Sequence, residues 1–93
     1  MKHCILVKFK NDFDLKNELH NIKEIFDTIV VQGVNFVEYF TNCINRDNRY
    51  DLLIRIDMDK EALSKYDECE NHHRWKEEYK DHIEKKAIFD YEV

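Results

Sequence analysis

The stretch KHCILVKFK, residues 2–10, has side chains that alternate with the period of a β-strand. One face of this strand carries every second residue, namely His3, Ile5, Val7 and Phe9. The stretch YDLLIRID, residues 50–57, alternates in the same way and carries on one face Tyr50, Leu52, Ile54 and Ile56. Two strands of this kind predict a sheet with one face turned to an apolar core.

The segment after the first strand has the pattern of a helix. Asn11–Asp12 is a capping signal, and the apolar residues that follow recur at steps of four and three residues. The resulting stripe consists of Leu15, Leu19, Ile22, Phe26 and Ile29. These positions predict a helix over about residues 13–28.

A second β-rich segment covers residues 30–43. Its apolar residues divide between two faces, with one carrying Val34, Phe36 and Phe40 and the other Val37 and Tyr39. Gly33 marks a bend or a bulge at its start. A turn at residues 45–48 leads on to the strand at residues 50–57, so the two segments are predicted to form an antiparallel hairpin.

Residues 59–83 are dense in charge and have the composition of helices, and they predict two consecutive helices. We expect the break near Glu70–Asn71, with Asn71 capping the second helix. In that helix the stripe predicted to face the core consists of His72, Trp75, Tyr79 and Ile83. His73 is predicted to point outward, about 100° round the helix from its neighbour.

A last strand is predicted over residues 86–93, with Ile88 on one side and, on the other, Ala87, Phe89 and Tyr91. The order of elements is strand, helix, strand, strand, two helices, strand. This order predicts an α+β, ferredoxin-like fold in which helices cover one face of a four-stranded antiparallel sheet. We expect residues 1–93 to form one domain.

The second face of the sheet is predicted to have no helices over it. It would carry Cys4, Leu6, Val37, Tyr39, Leu53 and Ile88. Apolar residues clustered in this number are unusual on the surface of a small monomer. We therefore predict a homodimer in which two copies pair sheet to sheet.

The composition argues against two classes of partner. Lys plus Arg is 15 and Asp plus Glu is 20, which gives a net charge of −5 that repels a phosphate backbone. Nucleic acid is therefore not an expected partner. No apolar run approaches the roughly 20 residues of a membrane-spanning helix, so a membrane is not expected either. We expect a cytoplasmic protein.

Three cysteines, Cys4, Cys43 and Cys69, are an odd number without a C-x-x-C pair, so neither a disulfide framework nor a structural zinc site is predicted. Cys4 and Cys43 are predicted to be small buried hydrophobic residues. His72 and His73 are adjacent on a helix and do not converge readily on one metal ion. We expect no metal and no organic cofactor.

Several short motifs resemble those of the stress-responsive A/B barrel family, also called Dabb proteins. They are Lys2-His3 followed by ILVKFK at 5–10, YDLL at 50–53 with Ile56, Ala62-Leu63 to Tyr66 followed by His72, and IFDYE at 88–92. The motifs cover nearly the whole chain. The resemblance implies a subunit that pairs into a dimeric α+β barrel.

One departure from the family pattern lies between Tyr66 and His72. The family often has a His-Pro pair there, whereas this sequence has Cys69-Glu70. The change removes a candidate polar group, and without proline the helix junction is less sharply fixed.

His3 on the first strand and His72 on the last helix are predicted to point into the space between sheet and helices, where Tyr66 would join them. A plant polyketide cyclase of the family uses a helix histidine as general base, and a tyrosine and a strand histidine to bind and orient its substrate. The resemblance implies these roles for His72, Tyr66 and His3 respectively. The chemistry suits them, because imidazole titrates near neutral pH and a phenol can donate a hydrogen bond to an enolate oxygen. In the alternative interpretation, His3, Tyr66 and His72 are only inward-facing polar side chains that form hydrogen bonds with one another or with nearby backbone.

Phe9, Trp75 and Tyr79 are candidate contacts for an apolar or aromatic ligand in the same space, although aromatic residues at helical spacing are also typical of a core. Three functions remain open: binding of a small apolar or aromatic molecule, a cofactor-free enzyme of the cyclase or lyase kind, and a structural stress protein without a ligand.

Overall fold

Four antiparallel strands and the helices on one face of their sheet make up the computed structural model, which describes residues 1–93. The elements are β1 Lys2–Phe9, α1 Leu15–Asp27, β2 Val34–Thr41, β3 Leu52–Met58, α2 Leu63–Glu68, α3 Glu70–Tyr79 and β4 Ile83–Tyr91. The strand order is β2-β3-β1-β4. The predicted α+β, ferredoxin-like fold and the β2–β3 hairpin are confirmed.

The core lies between the sheet and the helices. Ile5 stands opposite Ile54 and Val7 opposite Leu52 in the β1–β3 pair, so the apolar faces predicted for these two strands join. The helices cover this surface with Ile22, Ile25, Phe26, Trp75 and Tyr79. Every second residue of a β-strand points to the same face of the sheet, and residues three or four positions apart lie on the same face of a helix. The buried layer therefore consists of the alternate strand residues and the helix stripe that packs on them.

Helix α1 begins two residues later than the sequence indicates. Its cap is Asp14, which accepts a hydrogen bond from the backbone N–H of Asn17 at 3.3 Å. The predicted cap at Asn11–Asp12 is wrong, because those residues form the turn that leaves β1.

The break between α2 and α3 falls at Cys69, whose backbone is extended with φ −72° and ψ 156°. Asn71 is not the cap that its type suggests. Its side-chain N–H₂ donates to the carbonyl oxygen of Ile25 at 2.7 Å and to the hydroxyl of Thr28 at 2.9 Å. Asn71 therefore ties the start of α3 to the end of α1.

Strand β2 presents the opposite face to the one predicted. A bulge between Val34 and Phe36 shifts the register by one residue, so Val37 stands opposite Ile56 and Tyr39 opposite Ile54 on the core side. Placing Val37 and Tyr39 on the uncovered face is wrong. Gly33 forms the bend before β2, whereas the bulge lies within the strand, between Val34 and Phe36.

Strand β4 also presents a different face. It begins at Ile83 and not at residue 86, and Ile88 stands opposite Ile5, on the helix side of the sheet. Placing Ile88 on the uncovered face is therefore wrong. Both faces of this strand carry apolar residues, so alternation alone could not decide between them. Ile88 is still 48% exposed because β4 is an edge strand.

The face without helices, which we call the open face, is apolar with a charged centre. Its apolar residues are Leu6, Phe36, Phe40, Leu53, Ala87 and Phe89. The side chains of Phe36, Phe40 and Phe89 are 51%, 44% and 62% exposed. At the centre, the guanidinium of Arg55 lies 3.0 Å from the carboxylate of Glu38.

Two of the cysteine predictions have different outcomes. Cys4 is buried, as predicted, but Cys43 is exposed in the β2–β3 connection, so its predicted burial is wrong. That connection lies beyond the end of β2, and residues 42–48 in it are all exposed. No helix in the chain is long and apolar enough to cross a membrane.

Gly33 holds a conformation that other residues rarely adopt. Its φ is +94°, and a Cβ there would lie 3.0 Å from the Cβ of Ala62 and 3.3 Å from the carboxylate of Asp59. We expect Gly33→Ala to lower the free energy of unfolding by about 2 kcal/mol, since the strained backbone and the close contacts add up. Urea denaturation measures the change. Val30→Ala, three residues earlier and fully exposed, should change stability by less than about 0.5 kcal/mol.

Candidate functional site

Tyr66 lies between two imidazole rings. Its ring centroid is 5.4 Å from that of His3 and 4.9 Å from that of His72. The three side chains come from β1, α2 and α3, so helix packing on the sheet brings them together. The structure thus places the three predicted site residues side by side.

His3 is held by a carboxylate from the neighbouring strand. It stands directly opposite Asp90 in the β1–β4 pair, and its Nδ1 lies 2.5 Å from Asp90 Oδ1. A carboxylate accepts hydrogen bonds, so Nδ1–H is the donor and the ring is fixed in orientation. Asp90 is the residue of this site that the sequence reasoning missed. The signal for it is the register of β4 on β1, which alternation within β4 does not reveal.

His72 is oriented by its own helix junction. Its Nδ1 lies 2.9 Å from the backbone carbonyl oxygen of Asp67. A carbonyl can only accept, so Nδ1 carries the proton and the lone pair of the neutral ring is on Nε2. Burial lowers the pKa of His72 below its ordinary value, and the hydrogen bond to Asp67 offsets only part of this effect. The ring is therefore neutral near pH 7 and has a free basic nitrogen.

The hydroxyl of Tyr66 is buried without a hydrogen-bond partner in the protein. The residue is 0% exposed, and burial raises the pKa of its phenol well above the ordinary value. The phenol therefore remains protonated and is a hydrogen-bond donor. A buried hydroxyl without a partner is destabilising, so an acceptor atom at this point would be favourable.

The three predicted ligand contacts lie in packed surroundings. The ring of Trp75 lies 5.3 Å from Phe26 and 5.2 Å from Tyr79, and Tyr79 accepts a hydrogen bond from Asn21 at 2.6 Å. Neither Trp75 nor Tyr79 lines any of the three main cavities. Phe9 lines the largest of these three cavities, which lies at the other end of β1 from His3. None of the three main cavities is lined by His3, Tyr66 or His72.

The residues close to His72 in the sequence differ in their burial. Cys69, at the position where the family often has histidine, is half-buried and packs against the core. His73 is exposed, as predicted. No three His, Cys, Asp or Glu side chains are grouped so that they could hold a metal ion.

Comparison with solved structures identifies the same fold in proteins of distant sequence. A Dabb family protein with a ferredoxin-like fold from Mesorhizobium loti superposes with a TM-score of 0.78 at 22% identity, over 99% of this chain and 94% of that one. The chain has the fold of a Dabb family protein. No family model and no curated protein matches the sequence.

Two further proteins share this Dabb fold. A dimeric protein of unknown function from Bacteroides fragilis has a TM-score of 0.78 and 18% identity, with 99% of this chain and 94% of that chain covered. A hydroxynitrile lyase from Passiflora edulis has a TM-score of 0.77 and 10% identity, with 99% and 91% covered. The predicted resemblance to Dabb proteins is thus confirmed at the level of the fold.

Proposed function

We propose that this protein is a homodimer that binds a small apolar or aromatic molecule beside Tyr66, between the sheet and the helices. The observation that carries the proposal is the buried Tyr66 hydroxyl without a partner. A ligand oxygen that accepts its hydrogen bond would remove the cost of leaving it unpaired. The cytoplasm is the proposed location.

The neighbouring groups limit the chemistry of the ligand. Tyr66 offers a donor, and the free Nε2 of His72 offers an acceptor. A molecule that fits both has a carbonyl or hydroxyl oxygen and, close to it, a proton that can be given up. The aromatic and apolar residues around the two groups favour an aromatic or apolar body.

The proposed homodimer rests on the open face. Phe40, Leu53, Leu6 and Ala87 stand in one row across all four strands, so the apolar surface is continuous. Burying such a surface against a second copy is favourable by roughly 25 cal/mol per Å². The similar protein from Bacteroides fragilis is dimeric, which supports the same arrangement here.

A cofactor-free enzyme of the lyase or cyclase kind is the second candidate, and the tautomer of His72 favours it. On a hydroxynitrile, Nε2 would take the hydroxyl proton, the bond between carbon and nitrile would break, and cyanide would leave with the electron pair, giving a carbonyl compound. The hydroxynitrile lyase of the same fold supports this chemistry. In a cyclase, the same nitrogen would take a carbon-bound proton and Tyr66 would donate to the enolate oxygen.

A structural protein without a ligand is the third candidate. Two observations favour it: Trp75 and Tyr79 are both 1% exposed and contact other aromatic rings, and none of the three main cavities is lined by His3, Tyr66 or His72. The three candidates make different predictions for Tyr66 and His72.

Tyr66→Phe removes the unpartnered hydroxyl and leaves the ring in place. We expect the ligand-free variant to be more stable than the unmutated protein by about 1 kcal/mol, because a buried group without a partner is lost. Thermal and urea denaturation measure the difference. A loss of stability would show that the hydroxyl has a partner in the folded protein, and the proposed site would lack its basis.

Titration with benzyl alcohol, whose hydroxyl can donate to His72 Nε2 and accept from Tyr66, followed by NMR tests binding. We expect His72→Ala to weaken binding by roughly tenfold, and Tyr66→Phe and His3→Ala by less. His73→Ala is the matched control, since its side chain is exposed one residue away, and it should leave the affinity unchanged. Equal losses at positions 72 and 73 would contradict the proposed orientation of α3. No binding to the unmutated protein would favour the structural candidate.

A further inference from the structure

The largest of the three main cavities lies outside the site at Tyr66. It has a volume of about 470 Å³ and lies where the β2–β3 connection, residues 42–51, approaches the turn after β1. Ligand pockets in proteins are typically about 300 to 1,000 Å³. Phe9 on its wall is six residues after His3 on β1, which corresponds to about 20 Å along a strand. The cavity is therefore separate from the Tyr66 site.

Part of the lining of this cavity is apolar. Its apolar wall consists of Phe9, Phe13, Leu15 and Ile44. The ring of Phe13 stacks on Phe9 with centroids 4.3 Å apart and meets Tyr79 edge-on at 5.8 Å, so it is fixed in place. Ile44 is 45% exposed at the mouth. This wall can accept the apolar body of a small molecule.

The lining of the cavity also carries arginines without carboxylate partners. The chain has arginines at positions 46, 49, 55 and 74. Arg55 pairs with Glu38 at 3.0 Å, and Arg74 pairs with Glu78 at 3.3 Å. Arg46 and Arg49 have no such partner, and both line the cavity. Arg49 donates only to the side-chain oxygen of Asn48, at 2.7 Å, so the two guanidinium groups without a carboxylate partner line the same cavity.

The other charged groups of the lining do not cancel these arginines. Lys10 adds a further cation without a carboxylate partner. The lining has two carboxylates, Asp47 and Asp51, and that of Asp51 accepts the backbone N–H of Phe9 at 2.8 Å. Lys8 is balanced by Glu84 at 3.8 Å. The four cations of the lining, Lys8, Lys10, Arg46 and Arg49, outnumber these two carboxylates, so cations are in excess in a chain whose net charge is −5.

We propose that this cavity binds a small amphipathic organic anion. Its oxyanion head group is held by Arg46 and Arg49, whose planar guanidinium groups match carboxylate and phosphate oxygens. Its apolar body lies on Phe13, Leu15 and Ile44. A carboxylic acid and a phosphate ester share this chemistry.

The test uses naphthoate and naphthyl phosphate as probes, with inorganic phosphate as the head group alone, in amide NMR titrations of the full chain. We expect both naphthyl probes to shift signals of residues 42–51 and to bind at least about tenfold more tightly than inorganic phosphate. The tighter of the two probes identifies the head group. Equal binding of inorganic phosphate would overturn the proposal, because the apolar wall would then have no role.

Two charge-matched double variants test the arginines. Arg46→Gln with Arg49→Gln should weaken both naphthyl probes by about tenfold or more. Lys65→Gln with Lys80→Gln removes the same charge from exposed positions elsewhere, and should change the affinity by less than about twofold. Equal losses in the two variants, shifts centred on residues 66–75, or no binding at millimolar probe would each overturn the proposal.

Discussion

Leu53→Lys is expected to convert the proposed homodimer into a monomer. Leu53 stands opposite both Leu6 and Phe40 at the middle of the open face, so its side chain would be buried in a sheet-to-sheet pair. Because both copies carry the substitution, each dimer would contain two new lysine charges that lie close to each other. We expect the dissociation constant to rise by at least about 100-fold, which corresponds to about 3 kcal/mol.

Light scattering at micromolar concentration measures this result. We expect the unmutated protein to have twice the 11.5 kDa mass of one chain, and the variant to have the mass of a single chain. Val30→Lys is the matched control, because Val30 is 94% exposed and lies outside the open face. A folded monomer of the unmutated protein at this concentration would contradict the proposed dimer.

Trp75→Ala is expected to have the largest effect on stability. Trp75 is 1% exposed and packs against the rings of Phe26 and Tyr79, so truncation leaves a cavity in the core. We expect a loss of about 3 to 5 kcal/mol in the free energy of unfolding. For a domain of this size such a loss is a large part of the total stability.

Urea denaturation followed by circular dichroism measures the loss. Trp75→Phe keeps a ring in the same place and serves if the alanine variant does not fold, with an expected loss of about 1 to 3 kcal/mol. His73→Ala, on the exposed side of the same helix, should change stability by less than about 0.5 kcal/mol. A Trp75→Ala variant of unchanged stability would contradict the role of Trp75 in the core.

The sequence was sufficient to predict the faces of two strands and insufficient for the other two. In β1 and β3 one face is almost wholly apolar and the other mixes apolar with charged residues, so alternation decides which side is buried. In β2 the bulge after Val34 adds one residue and reverses the faces of Val37 and Tyr39. In β4 both faces carry apolar residues, so only the pairing of Ile88 with Ile5 shows which one meets the helices.

The sequence likewise predicts the positions of some residues of the candidate site and not those of others. The periods of β1 and α3 place His3 and His72 on inward faces, and the structure brings them to either side of Tyr66. Asp90 could not be found in this way, since its contact with His3 depends on the register between strands distant in the chain. The free nitrogen of His72 depends on the carbonyl of Asp67, which sequence periodicity does not describe.

The position of β1 in the sheet has a consequence for folding. β1 is the earliest strand in the chain, and it lies between β3 and β4. The contact of His3 with Asp90 joins residues 87 positions apart, so much of the sheet depends on closing very long loops. A high contact order of this kind slows folding relative to a helical bundle of equal length. With no proline in the chain, no slow phase from prolyl isomerisation is expected, and refolding should be limited by the docking of β4 on β1.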